Sequence, residues 1–308
     1  MSIAQMLLSC NAGYVSPQRY VAVGYNPVNG TSAAVYSSDG ITWTQSNPTP
    51  TQYLPLTSVA RGLGKFMAVA GGGSGYSTAL YSSDGSTWST STMATNNSWN
   101  QIILGGSTFV AVGSLASLSG GINYSTDGIT WQSSSFNFQF DSIAYGSSKF
   151  VVVGSAISGS TTNQAYYSTT GASWTAATLP SSNLWTSIAY GNSKFVTVAG
   201  TAGAYSADGV TWTSVTLPQS AFQIAYGAGK FVAVQSSSTN NYCYSSDGIS
   251  WTQATLPATQ AWTHLTYTGT RFMTWNESSG SGAYSADGVT WFSFTLPTGY
   301  AWTSIAFG

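Results

Sequence analysis

The chain has 308 residues but only seven Lys/Arg and eight Asp/Glu, for a formal net charge of −1. So few cations, with no basic run among them, cannot displace the counterions around phosphates, so a nucleic-acid binder is excluded. No apolar stretch is long enough to cross a membrane as a helix. Gly, Ser, Thr, Asn, Tyr and Trp dominate, and no segment shows helical spacing of apolar residues. That mixture predicts many short strands joined by turns.

Residues 1–18 form an N-terminal segment ahead of the first clear strand. Cys10 follows an apolar run, but that run is short and no Lys or Arg precedes the cysteine, so no secretion signal is expected. Cys10 and Cys243 lie too far apart in sequence for a metal spacing or a disulfide framework. Neither a cofactor nor a metal is expected.

From residue 36 onward one octapeptide recurs seven times, at residues 36–43, 81–88, 124–131, 167–174, 205–212, 244–251 and 284–291. Each copy runs from a Tyr to a Trp. The 38- to 45-residue period, by subtraction of the Tyr positions, is that of a four-stranded propeller blade. The fifth period shows the four strands as 185–190, 195–198, 204–206 and 211–216, rich in β-branched and aromatic residues. The chain stops on 302–307, a lone first strand, and its blades begin at 20–23, a second strand without a first. The expected fold is therefore all-β: one seven-bladed β-propeller over 1–308, with four antiparallel strands per blade. Its ring is closed by 302–307 joining the N-terminal blade. Residues 2–4 also match the first-strand pattern and compete for that place.

The octapeptide resembles the Asp-box (BNR) repeat, Ser/Thr-x-Asp-x-Gly-x-Thr-Trp, shortened by one residue between Asp and Gly. The structural Asp-box residues are Asp39, Asp84, Asp127, Asp208, Asp247 and Asp287; the fourth copy carries Thr170 instead. A short carboxylate at a chain reversal accepts backbone N–H groups. The following Gly supplies a positive φ. The Trp is expected to wedge between blades.

Asp boxes occur in sialidases, and that resemblance would imply an arginine triad, a Tyr nucleophile with a Glu partner, and an Asp acid/base. The only arginines are Arg19, Arg61 and Arg271. Arg19 and Arg271 precede second strands, where other blades carry Lys65, Lys149, Lys194 and Lys230. Arg61 ends a first strand, where others carry Tyr145, Tyr190 or Tyr226. Outside the boxes only Asp141 and Glu277 remain as acids, in blades four and seven, too far apart for a glycosidase pair. No catalytic residue is assigned, and the chain reads as a non-enzyme.

Four antiparallel strands put first and third turns on one face and the variable loops on the other. The first face collects all seven cations and six of the eight acids, with Lys and Asp expected to pair within a blade. The second carries long uncharged loops, including 25–35, 71–80, 114–123 and 155–166, and the connections 46–55 and 90–98. Variable loops on a rigid scaffold are where function concentrates. First strands begin on that face with Trp99, Phe140, Trp185, Trp262 and Trp302, followed two positions on by polar residues that include Gln223 and His264. These residues and Asp141 are the candidate ligand-binding set, because aromatic faces beside amides and hydroxyls suit sugars.

The leading expectation is a non-enzymatic binding or structural module. Its favoured setting is a virion component (phage tail, fibre or capsid decoration), with other proteins of the assembly as partners. The alternative is a lectin-like protein that binds cell-surface glycans, and the third a degenerate or unrecognised glycoside hydrolase. Neither nucleic acid nor membrane insertion enters any of these readings.

Overall fold

The computed structural model describes residues 18–46, 53–72, 75–114, 120–136, 138–155 and 160–308. The competing segment 2–4 and Cys10 lie outside these residues. All regular structure among them is β, in antiparallel sheets.

Six sheets follow the repeat. The first orders Ala301–Phe307, Tyr20–Tyr25, Ser32–Ser37 and Thr44–Gln45, so the last strand pairs with the first. A seven-stranded sheet runs through Leu56–Gly62, Lys65–Ala70, Tyr76–Ser82, Ser89–Gly105, Thr108–Ser114, Gly120–Ser125 and Gln132–Phe136. The third holds Gln139–Gly146, Lys149–Ser155, Thr162–Ser168 and Thr175–Asn183, and the fourth Ser187–Gly191, Lys194–Ser206 and Thr213–Ala221. Next comes Gln223–Gly227, Lys230–Val234, Thr239–Ser245 and Thr252–Gln260; the last is His264–Tyr267, Phe272–Trp275, Ser281–Ser285 and Phe292–Thr295. The expected strands 195–198 and 204–206 are not separated by a loop. Lys194–Ser206 is continuous because Gly200 (φ 61°) turns the chain while pairing with Ala221.

The hairpins follow from local chemistry. In the first turn of four repeats both central residues are left-handed: Leu63 and Gly64, Ser147 and Ser148, Asn192 and Ser193, Ala228 and Gly229, with φ from 45° to 76°. That is the geometry of a type I′ turn, whose twist matches the strands it joins. In the third turn Asp39 Oδ1 accepts the N–H groups of Ile41 and Thr42, both at 2.8 Å, and the Ser37 hydroxyl at 2.8 Å. The same set recurs at the other five box aspartates. Those backbone bonds hold Asp39, Asp127, Asp208 and Asp287 at a pKa of about 2 and lower Asp247 as well. At Asp84 burial pushes the other way, but bonds from Ser86, Thr87 and Ser82 prevail and the value is again about 2.

The core lies between successive sheets. Val151 and Val153 of the third sheet, for example, pack with Phe195 of the fourth and with Trp212, just ahead of that sheet's last strand. The octapeptide residues Trp88, Trp131 and Trp212 are buried, each clustered with residues of the preceding repeat.

Two further contacts join neighbours on the turn face. Tyr145, Tyr190, Tyr226 and Tyr267 lie over Gly105, Gly146, Gly191 and Gly227 of the preceding repeat, where any Cβ would collide with the ring. The cations latch forward: Arg19 donates to the Asp84 carbonyl (3.2 Å), Lys65 to that of Asp127 (2.7 Å) and Lys149 to that of Asp208 (2.9 Å). Each also stands over the box Tyr of its own repeat, Tyr36, Tyr81 or Tyr167. The expected pairing of Lys and Asp within a blade is thus corrected. The ammonium reaches the next repeat and takes a carbonyl, because the carboxylate is already occupied by its own turn.

Candidate functional site

First strands from all seven repeats line a central cavity of about 520 Å³. Its wall is built from the polar position near the start of each strand. Ser304, Ser58, Ser142 and Ser187 accept the N–H groups of Val59, Ile102, Ile188 and Ile224 in the next repeat, at 3.1 to 3.2 Å. Gln101 accepts that of Ile143 at 2.9 Å. One residue earlier, Thr303, Thr57, Asn100 and Thr186 donate to the carbonyls of Leu56, Trp99, Phe140 and Phe222, at 2.6 to 2.8 Å.

Three residues depart from this zipper. The Gln223 side chain faces the cavity and makes no hydrogen bond among the described residues. Asp141 occupies a donor slot with a carboxyl group, and burial pushes its pKa up to about 6. His264 turns instead to Glu277, with Nε2 and Oε2 3.4 Å apart, its ring stacked on Trp275.

Glu277 is held from several sides. Tyr25 donates to its Oε1 at 3.2 Å, its own N–H donates to Thr263 Oγ1 at 2.9 Å, and its carbonyl accepts the Trp302 N–H at 3.2 Å. The hydrogen bond to His264 comes first among the causes that lower the Glu277 pKa. Burial, and then the Glu277 charge, raises that of Tyr25.

This trio borders a second cavity, of about 640 Å³, on the variable-loop face. Its wall adds Tyr53 and Pro55 from a connection and Pro27 to Gly30 from a loop. It shares Thr57, Asn100, His264 and Thr303 with the central cavity, so the two adjoin. A third recess of about 510 Å³, beside exposed Leu184 and Phe222, meets the centre at Thr186.

The expected aromatic platforms are not there. Trp99, Phe140, Trp185, Trp262 and Trp302 are at most 1% exposed. The four indole N–H groups donate to the carbonyls of Tyr76, Thr162, Thr239 and Pro297. Large apolar rings with one polar handle pack between repeats once that handle is satisfied. Their burial corrects the reading of these five as ligand contacts. Asp141, Gln223 and His264 do reach the cavity. Tyr25, Tyr53 and Asn100 were not singled out from sequence, and Glu277 was weighed only as a hydrolase acid. The register was the available signal for Glu277: His264 pairs with Trp275, which brings the residue two further on alongside the histidine.

Among the described residues no group of three metal-ligating side chains exists, and no helix is long and apolar enough to cross a membrane. Cys243 is buried as a free thiol, its pKa pushed up to about 12 by burial.

No family model matches the chain, and no curated protein matches it in sequence. Solved structures do resemble it. A streptogramin B lyase structure aligns with a TM-score of 0.69 at 8% identity, over 96% of this chain and 93% of that one. A structure of YCF48 bound to D1 peptide gives 0.63 at 14% identity, over 91% and 89%. The nidogen/laminin complex gives 0.53 at 12% identity, over 94% and 98%. These neighbours are β-propellers, and the chain has a β-propeller fold. At such identities the likeness extends to the fold alone, which is shared by enzymes and non-enzymes.

Proposed function

We propose that the chain is a single seven-bladed Asp-box propeller acting as a non-enzymatic binding module, whose partner is engaged at the variable-loop mouth around Tyr25, Tyr53, His264 and Glu277. The blade count is supported by the 17-residue strand Ser89–Gly105, long enough to end one four-stranded blade and begin the next within the seven-stranded sheet. Ring closure is supported by the pairing of Ala301–Phe307 with Tyr20–Tyr25. The observation that carries the binding reading is the mouth itself: about 640 Å³, opening among the loops that vary most, and adjoining the channel. Structures of the same fold are known with a bound peptide, as in YCF48 with D1, and with a protein, as in nidogen/laminin.

The favoured setting is a larger assembly such as a virion, on grounds of composition: low charge and a Ser/Thr/Gly-rich β scaffold. The test is purification of the native protein with hydroxyl-radical footprinting of both faces. Recovery in a particle with Tyr53 and Phe222 protected is expected. A free monomer with both residues fully reactive would sink the assembly reading. A glycan partner is the alternative, favoured by Tyr53, an exposed ring (65%) lying over Gly30 at the mouth. Saturable glycan binding that Tyr53→Ala abolishes would select it.

An enzymatic reading is favoured by one observation, the His264–Glu277 contact with Tyr25 behind it in a concave site. A carboxylate that orients a histidine is general-base geometry, and the streptogramin B lyase shows that this fold can host an enzyme. Turnover abolished by both His264→Ala and Glu277→Gln would establish this reading over binding alone.

A further inference from the structure

We propose that the end of the central channel opposite the mouth is an anion site built on Arg61, fitted to a carboxylate or another small two-oxygen anion. The site lies apart from the Tyr25–Glu277 mouth, so the two stand or fall separately.

Arg61 sits near the end of Leu56–Gly62, at the position that other repeats fill with Leu104, Tyr145, Tyr190, Tyr226, Tyr267 and Phe307. Its aliphatic stem does what those rings do, lying against Gly308 of the neighbouring strand. One face of its guanidinium rests on Phe66, with Cζ 4.7 Å from the ring centroid. That leaves the polar edge, and Nη1 is buried with no hydrogen-bond partner. The side chain lines the cavity of about 520 Å³.

A guanidinium does not shed its charge in proteins, and burying a charge without a partner is costly. Among the described residues no Asp or Glu side chain pairs with Arg61. The only ion pair among the described residues is His264–Glu277. Asp141, the cavity's own carboxyl group, starts its strand where Arg61 ends another, four register positions away. At the rise of a strand that is roughly 13 Å along the channel. The nearby cation Arg19 donates to the Asp84 carbonyl and supplies no negative charge. The same cavity is lined by Thr266, whose hydroxyl makes no hydrogen bond among the described residues. The guanidinium N–H donors other than Nη1, with the Thr266 hydroxyl lining the same cavity, fit a planar anion better than a spherical one.

The test uses formate as probe, titrated against chloride at constant ionic strength, on the whole chain. Thermal unfolding of the wild type should rise saturably with formate. Arg61→Tyr carries the side chain of other repeats; it should fold and lose that response. Arg61→Lys should respond without preferring formate to chloride. In parallel, the three arginine side-chain Nε–H signals should separate, with only that of Arg61 shifting. Equal shifts at Arg19 and Arg271, an unmoved Arg61 signal, or a formate response surviving in Arg61→Tyr would each overturn the proposal. If Arg61→Tyr fails to fold, Arg61→Gln takes its place with the same expected loss.

Discussion

The ring of Tyr226 lies directly on Gly191, in the space that any side chain at residue 191 would need. The contact couples the first strands of two successive repeats. Tyr190 makes it with Gly146, and Tyr267 with Gly227. Glycine is required there for room, since Gly191 does not have a left-handed backbone.

Gly191→Ala should therefore destabilise the fold by roughly 1–3 kcal/mol, the usual range for overpacking a tight contact. Adding Tyr226→Ala should make the glycine substitution far less costly than it is alone. Chemical denaturation of the four members of this cycle gives the coupling. Additive effects would refute the contact.

The box aspartates make stability acid-sensitive. Asp39, Asp84, Asp127, Asp208 and Asp287 sit at about 2 in the folded chain against an ordinary 3.8. Their stabilisation is complete above about pH 4 and is lost as the pH falls through about 2. A melting temperature that stayed flat across that interval would contradict the hydrogen-bonding described. In the fourth repeat Thr170 Oγ1 accepts only the Ala172 N–H, at 3.2 Å. Thr170→Asp should add on the order of 1 kcal/mol at neutral pH, and that gain should vanish at pH 2.

Asp141 has the opposite sign. Burial raises its folded pKa to about 6 from 3.8, so the protonated form is favoured and stability falls as the pH rises between those values. Asn100 fills the equivalent slot with an amide that donates to the Phe140 carbonyl. Asp141→Asn should leave stability near its wild-type value at pH 4. At pH 8 it should raise stability by up to about 3 kcal/mol. Equal unfolding free energies at pH 8 would count against a buried carboxyl group.

Glu277 is the only glutamate and His264 the only histidine in the chain. A carboxyl-labelled glutamate therefore gives a single resonance. It should titrate below the ordinary glutamate range in the wild type and move upward in His264→Ala, because the hydrogen bond that lowers it is gone. An unchanged titration would show that the 3.4 Å contact does not persist in solution.

What was legible in the sequence was whatever repeats. Seven octapeptides carry their own turn chemistry, from Ser37, Asp39 and Gly40 to Ser285, Asp287 and Gly288. Interactions spanning two or three residues are written in local spacing, so the strands, their period and the role of the box aspartates could be read directly. The same repetition made Arg61, Asp141, Gln223 and His264 visible as departures. Tertiary structure decided which surfaces stay open. Trp185 and Tyr53 are both large aromatics beside a connection, yet one is fully buried under a neighbouring strand and the other is 65% exposed at a cavity. Burial depends on what arrives from another repeat, which composition does not encode. The union of Tyr25 with Glu277, 252 residues apart, likewise exists only because the first sheet stands beside the last.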